Sequence, residues 1–348
     1  MRRPGGFRWA PLFATIAFLA TPQMYGAARI GIFGLPGASA TLANGINRSG
    51  TVVGYYFDSK FTGHGYLRSP RGSFTTFDVP GASQGDGQGT FPLALNDVGG
   101  VAGTYTTSAL SNHGFIRDAA GNIETFDAPG ETLATGESAM GMNNNGQIVG
   151  VSFSATAVDV YIRDSDGTFT IFNPGGNAGY VGINSLGEVA GTYSDTTFRA
   201  FHGFVRDVSG TVTTFDVPGA MENTPGYGTW AYTINDSGVV AGFWVDQNFV
   251  GHGYLRSPSG TIKSYNAPKG TTFGGGTYIN VGGEVASTSY NAANSTWIPF
   301  TRDHAGSTTT FQVSDSTNAI IYGINRNGQV CGTFTAKKGI GYGFLRTP

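Results

Sequence analysis

Four of the five histidines, His64, His113, His202 and His252, fall at one position of a recurring motif, His-Gly-aromatic-aliphatic-Arg. Recurrent imidazoles could ligate a metal or move protons. Each of these belongs to a different copy of the motif, so they cannot converge on one ion. An antiparallel hairpin in which Arg117 faces Ile123 puts His113 opposite Asp127. The same register sets His64 against Asp78, His202 against Asp216 and His252 against Asn266. Where the histidine is replaced, the aspartate is replaced too: Asp159 goes with Asn173, Ile298 with Gln312 and Tyr342 with Gly34. Such paired change among internal copies predicts a cross-strand staple, worth about 0.2–1 kcal/mol each.

Other chemistry-bearing residues are weaker candidates. Arg68, Arg117, Arg163, Arg206, Arg256, Arg302 and Arg346 each sit near a tight turn of their own copy, which predicts bonds to turn carbonyls rather than a shared anion. Asp164-Ser-Asp166-Gly167 has the look of a short calcium loop, but neighbouring copies hold Ser-Pro-Arg-Gly or Asp-Val-Ser-Gly there, so a hairpin turn is expected. The sequence holds no His-Glu-x-x-His, no Gly-x-Ser-x-Gly and no clustered Cys and His ligands, and no metal or other cofactor is expected. The one cysteine, Cys331, takes a slot that other copies fill with Val53, Ala102, Val149, Ala190, Ala241 or Ala286, so it reads as a small core residue.

The elements that carry these residues come from a repeat. Asn47, Asn96, Asn143, Asn184, Asn235, Asn280 and Asn325 recur at spacings of 41 to 51 residues. An aliphatic precedes each, glycine follows three residues on (Gly50, Gly99, Gly146, Gly187, Gly238, Gly283, Gly328), and a branched aliphatic follows two after that. Asn-x-x-Gly predicts a tight turn, because Asn caps its own backbone and Gly accepts positive φ. Each copy parses into four short strands, and four strands in about 45 residues is the arithmetic of a propeller blade. Glycine is 56 of 348 residues and charged residues are 12%, which suits strands and turns.

The last copy ends at Gly343-Phe-Leu-Arg346 without a fourth strand, while Arg29-Ile-Gly-Ile-Phe33 followed by Pro36-Gly37-Ala38 matches one. The expected fold is therefore all-β: a seven-bladed β-propeller of four-stranded blades over residues 29–348, closed by the N-terminal strand completing the last blade. A linear β-solenoid is the alternative; it would leave both end strands as open edges.

With the repeat laid out, the chain resembles the bacterial HAF-repeat extracellular proteins. Gly45-Ile-Asn-x-x-Gly-x-Val-Val-Gly-x-Tyr56 with His64-Gly-Tyr-Leu carries the resemblance, which covers the segment after residue 28. Copies three, six and seven lack the histidine of that pattern. The resemblance implies secretion and brings no activity with it.

Residues 1–28 are expected to be an export signal: Arg2, Arg3 and Arg8 precede an apolar run from Trp9 to Ala20, and Gly26-Ala27-Ala28 offers a cleavage site. The run is too short to span a bilayer, so a released protein, expected to be a monomer in the bacterial periplasm or outside the cell, follows. A net charge of −2 gives no electrostatic case for nucleic acid or an anionic membrane.

Binding is expected on the face with the long loops. There the second strands end in Tyr56, Tyr105, Tyr193 and Trp244, and the loops bring Trp230, Asp86 and Glu137. Aromatic platforms with carboxylates suit an extracellular carbohydrate or peptide. The expected function is a non-catalytic binding or scaffold platform. The alternative is an extracellular hydrolase or lyase using loop carboxylates such as Asp86, Glu137 and Glu222 on a polysaccharide.

Overall fold

The computed structural model describes residues 28–130, 137–195, 199–313, 316–336 and 339–348; the expected export signal lies, Ala28 apart, outside them. Among the described residues there is no helix, so none is long and apolar enough to cross a membrane.

After β1 (Arg29–Phe33) the chain runs β2 (Ala40–Ile46), β3 (Val52–Phe57), β4 (Gly63–Arg68) and β5 (Phe74–Phe77), joined in that order as an antiparallel meander. The pattern then repeats. β6 to β9 are Thr90–Leu95, Val101–Thr106, Asn112–Arg117 and Ile123–Phe126; β10 to β13 are Glu137–Met142, Ile148–Phe153, Val158–Arg163 and Phe169–Phe172. β14 to β17 are Asn177–Ile183, Val189–Ser194, Phe201–Arg206 and Val212–Phe215; β18 to β21 are Thr229–Ile234, Val240–Val245, Gly251–Arg256 and Ile262–Asn266. β22 to β25 are Thr272–Ile279, Val285–Asn291, Thr296–Arg302 and Thr308–Thr310; β26 to β28 are Ser316–Ile324, Val330–Ala336 and Gly341–Thr347.

β6–β9, β10–β13, β14–β17 and β18–β21 are separate four-stranded sheets. The groups β22–β25, β26–β28 and β2–β5 are linked at two single parallel contacts, Trp297 to Asn318 and Ala40 to Gly341. β1 lies antiparallel on β28, with Phe33 opposite Gly343 and Arg29 opposite Thr347.

The recurrent asparagines hold the groups to each other. Asn184 shows the arrangement: Oδ1 accepts from the amides of Leu186 and Glu188 at 3.0 and 2.9 Å, capping its turn. Its Nδ2 donates to the carbonyl of Asn235, the anchor of the next group, at 3.1 Å. Every anchor makes the second bond: Asn47 to Asn96, Asn96 to Asn143, Asn143 to Asn184, Asn235 to Asn280, Asn280 to Asn325, and Asn325 back to Asn47 at 2.9 Å. All seven are buried. Buried amides are stable only when their polar atoms are met, so this ladder is both cap and joint.

Further out, each arginine lies over an aromatic of the preceding group. Arg117 is 5.1 Å from the Phe77 ring centre, Arg256 4.8 Å from Phe215 and Arg346 5.1 Å from Phe311. Arg68 stands in the same way 4.7 Å over Phe33 of β1. Such contacts contribute about 0.5–2 kcal/mol. The third-strand aromatics, Tyr66, Phe115, Tyr161, Phe204, Tyr254, Phe300 and Phe344, are fully buried beneath them.

The innermost strand of each group carries a β-bulge. The register with the second strand skips between Ala43 and Gly45, Pro92 and Ala94, Ala139 and Gly141, Ala178 and Val181, Ala231 and Thr233, Phe273 and Thr277, and Ile321 and Gly323. A bulge leaves a residue out of the ladder and re-aims its side chain. Freed backbone groups are met by threonines of the neighbouring group: Thr192 Oγ1 donates to the Ala231 carbonyl, and the Ile321 amide donates to Thr288 Oγ1.

The bulge also explains a recurrent glycine on the second strand. A Cβ on Gly54 would fall against the carbonyl oxygen of Leu42, and one on Gly242 against that of Trp230. In the group β22–β25 this position is Ser287; there the irregularity is wider, spans Gly274-Gly275-Gly276, and Ser287 Oγ donates to the Gly276 carbonyl at 3.0 Å. Gly54→Ala should therefore cost at least about 2 kcal/mol, since backbone must shift to admit a methyl group. Ser287→Gly should cost less, about 0.5–1.5 kcal/mol for the hydrogen bond to Gly276. Thermal unfolding of the two variants checks this, and equal losses would remove the close approach as the reason for glycine.

Candidate functional site

The bulged side chains meet at the centre of the molecule. Asn44, Leu93, Met140, Tyr180, Tyr232 and Tyr322, each skipped by its own ladder, line a cavity of about 460 Å3, with Tyr278 beside them. Ser138, Val181, Ile183, Thr233 and Ile234 fill in the wall. Carboxylates, histidines, lysines and arginines are absent from the described residues of this lining.

The tyrosines come from four consecutive groups. Tyr180 and Tyr232 lie with ring centres 4.7 Å apart and planes 33° apart. Tyr232 is stacked in turn on Phe243, at 5.9 Å and 23°, which fixes its ring. Burial raises the Tyr232, Tyr278 and Tyr322 phenols above their ordinary value, and neighbouring phenols add to the shift. These groups stay neutral near pH 7.

Beyond Met142, Ile183 and Ile234, which border both spaces, a polar vestibule opens on the side of the tight turns. It is lined by five of the anchor asparagines, Asn47, Asn96, Asn143, Asn184 and Asn235, with Asp97, Asn144, Ser185 and Asp236. Its carboxylates are committed: Asp97 Oδ1 accepts from the Arg48 amide at 2.6 Å, and Asp236 Oδ1 from the Ser185 amide at 2.8 Å.

The histidines hold the partners that the register requires. Nδ1 lies 2.9 Å from Asp78 for His64, 2.6 Å from Asp127 for His113 and 3.0 Å from Asp216 for His202. His252 Nδ1 lies 2.9 Å from Asn266 Oδ1, and Asn173 Nδ2 donates to Asp159 at 2.6 Å where the histidine is missing. Each imidazole also lies on an aromatic of the adjoining second strand: His64 on Tyr56, His113 on Tyr105, His202 on Tyr193 and His252 on Trp244, with centres 4.6–5.3 Å apart. In two groups a turn carboxylate faces Nε2, Asp58 at 3.7 Å from His64 and Asp246 at 3.2 Å from His252. The Thr62 amide at Asp58 and the Val250 amide at Asp246 hold these carboxyls below the usual range, and the histidines add to that.

His113→Ala should lower stability by about 1 kcal/mol through loss of the Asp127 contact and the Tyr105 stack. Urea unfolding checks it; a variant as stable as the parent would remove the staple reading.

Tyr56, Tyr105, Tyr193 and Trp244 are thus each engaged within their own group, and none lines the central cavity. Trp230 packs edge-on against Phe201 and Phe243, at 4.4 and 4.9 Å. Asp86 and Glu222 are exposed on loops. Glu137 opens β10 opposite Ser152, and its side chain lies outside the described residues.

Five of the arginines donate Nη1 to the next residue's carbonyl at 3.1–3.4 Å, as their place beside turns suggests. Asp166 Oδ1 accepts from the Thr168 amide and hydroxyl at 2.9 and 2.7 Å, within a hairpin turn. Cys331 is buried, and burial pushes its thiol up to about 12.

Sequence reasoning missed the cavity residues. Their signal is faint: counting back from each anchor asparagine, the third position holds Asn44, Leu93, Met140, Val181, Tyr232, Thr277 and Tyr322, unlike the uniform positions around it.

No protein-family model matches the chain, and no curated protein matches it. Solved structures do. The β-propeller domain of the Trilobed protease from Pyrococcus furiosus superposes with a TM-score of 0.59 at 9% identity, over 89% of this chain and 94% of that one. An oligogalacturonate lyase from Vibrio parahaemolyticus gives 0.61 at 10% identity, over 92% and 97%. The Pyrococcus horikoshii acylaminoacyl peptidase gives 0.60 at 9% identity, over 89% of this chain and 52% of that one. Identities this low carry the fold and nothing of the activity. The four-stranded meanders and these likenesses together make the chain an all-β protein of β-propeller architecture.

Proposed function

We propose that this is an exported, non-catalytic binding protein: a monomeric seven-bladed ring, closed by β1 on the edge of β28, that holds a small ligand in its central cavity. The asparagine ladder that returns from Asn325 to Asn47 supports closure. So does Phe33, which meets Arg68 and Tyr66 as Phe77 meets Arg117 and Phe115. Export rests on Arg2, Arg3, Arg8 and the apolar run from Trp9, and on the resemblance to HAF-repeat extracellular proteins.

The observation that carries binding is the cavity of about 460 Å3, formed at a strand position that varies among the copies and walled by neutral side chains. General acid–base chemistry needs titratable groups facing the substrate. The wall offers phenols that burial keeps protonated. A lyase or hydrolase on this propeller would have to draw Asp86 or Glu222 from the loops, or Glu137 from the start of β10.

The test is a thermal-shift screen of the processed protein against metabolites, peptides and glycans, followed by product analysis of every hit. The expected result is a ligand that raises the melting temperature and is recovered unchanged. A hit that is cleaved, with turnover lost on replacing Asp86 or Glu222, would establish the enzyme instead.

A further inference from the structure

We infer that the central cavity selects a neutral, largely apolar ring compound, stacked on the tyrosine arc, and not a glycan or a charged metabolite. This rests on the reading of the cavity as a ligand site and narrows it to a chemical class.

The first argument is positional. The anchor asparagine, its preceding aliphatic and the turn glycine are uniform among the copies, because each has a scaffold duty. The bulged residue does not: its side chain leaves the ladder and enters the lumen, so the fold leaves its type free. That slot holds Asn44, Leu93, Met140, Tyr180, Tyr232 and Tyr322. Nothing about ring closure asks for tyrosines in one arc and Leu93 and Met140 in the adjoining arc. Large apolar side chains left exposed in the lumen also cost stability relative to polar ones. A bound apolar partner removes that cost.

The second argument is the shape of the wall. Tyr180 and Tyr232 present a tilted pair of neighbouring rings, with Tyr232 backed by Phe243. Leu93 and Met140 supply a softer, deformable surface. Aromatic faces together with aliphatic side chains suit a flat ring system. The volume of about 460 Å3 lies in the lower half of the range for small-molecule sites, about 300–1,000 Å3.

The third argument is polar accounting. A buried pyranose would bring several hydroxyls, and each one left unmet costs about 1–3 kcal/mol. Against them the wall offers Ser138, the phenol hydroxyls and Asn44, whose Nδ2 already donates to the Pro92 carbonyl at 2.8 Å; the Thr233 hydroxyl is taken, donating to the Thr277 carbonyl at 3.0 Å and accepting from the Ile279 amide at 3.2 Å. A ligand with one or two polar groups can be satisfied here. A carboxylate or ammonium has no opposite charge to meet, and an unpaired buried charge costs far more.

The experiment uses the processed full chain and Nile red, a neutral polycyclic dye, beside an anionic naphthalene sulfonate dye and a panel of neutral oligosaccharides. Tyr322→Arg puts a charge into the lumen. Tyr180→Ala removes half of the tilted ring pair at a residue that is 56% exposed, so folding is spared. The expected result is saturable, one-to-one binding of Nile red with blue-shifted emission, at least about tenfold weaker in both variants, and weaker binding of the anionic dye to the parent. Oligosaccharides that bind in the parent and are lost in the variants would overturn the ligand class while leaving the cavity reading intact. Dye binding unchanged in Tyr180→Ala, or the absence of saturable binding, would overturn the cavity as the site.

Discussion

An Asn184→Asp variant should lose about 3 kcal/mol or more of stability at pH 7, although it alters no volume. Asn184 is 2% exposed and its amide has two jobs. Oδ1 accepts from the Leu186 and Glu188 amides, which a carboxylate could also do. Nδ2 donates to the Asn235 carbonyl at 3.1 Å and to Glu188 Oε2 at 2.6 Å. A carboxylate oxygen there faces a carbonyl and a second carboxylate, so two attractions become repulsions in a buried place. The new carboxyl then has a folded pKa above the value of about 3.9 for an unfolded aspartate. The penalty is absent well below about pH 4 and grows as pH rises toward the folded pKa, so the deficit should shrink from pH 7 to pH 5. Asn184→Ala should cost about 2 kcal/mol at both pH values, since it only deletes bonds. Urea unfolding of both variants at the two pH values checks this. An Asn184→Asp deficit independent of pH would mean that the side chain meets donors, and that the joint to Asn235 is not what the asparagine supplies.

That residue also marks what can be read in a sequence. Asn-x-x-Gly announces a turn because both hydrogen-bonding partners of Oδ1 lie within four residues. The amide's other bond crosses to Asn235, and nothing near Asn184 announces it. The same division runs through the arginines. Their turn carbonyls are next in sequence and were legible, whereas the ring under each belongs to the preceding group, as with Arg117 over Phe77. The histidine pairs were legible across a strand because two copies of evidence could be compared: His113 with Asp127, and Asp159 with Asn173. The lumen was not. Strand periodicity assigns alternate residues to opposite faces, and a bulge breaks that alternation at the residue that matters. Tyr232 therefore reads as an ordinary strand residue, while Tyr56 and Trp244, at strand ends near loops, read as a binding surface. In the structure they lie against His64 and His252.

Removing β1 should have the largest effect of all. Phe33 is 7% exposed and packs with Val52, Ala43, Tyr66 and Cys331; its ring lies 6.1 Å from that of Phe74 and beneath Arg68. Burying such a side chain is worth about 3–5 kcal/mol against alanine. Deleting residues 29–33 adds the loss of the ladder to β28 and opens that strand's edge to other chains. A chain without β1 should thus be aggregated, or melt more than about 10 °C below the parent, taking the domain's stability as about 5–15 kcal/mol. Phe33→Ala gives the finer comparison. Phe126 is 9% exposed, lies 6.2 Å from Tyr161 and sits under Arg163 at 5.0 Å, the same joint elsewhere in the chain. If β1 closes a ring, Phe33→Ala and Phe126→Ala should destabilise to within about 1 kcal/mol of each other, because every joint of a ring must hold for any to hold. If the end strand merely rests on β28, Phe33→Ala should cost little, unfolding should become multiphasic, and removal of residues 29–33 should leave a soluble monomer by light scattering. The two outcomes differ by several kcal/mol, and a single denaturation series separates them.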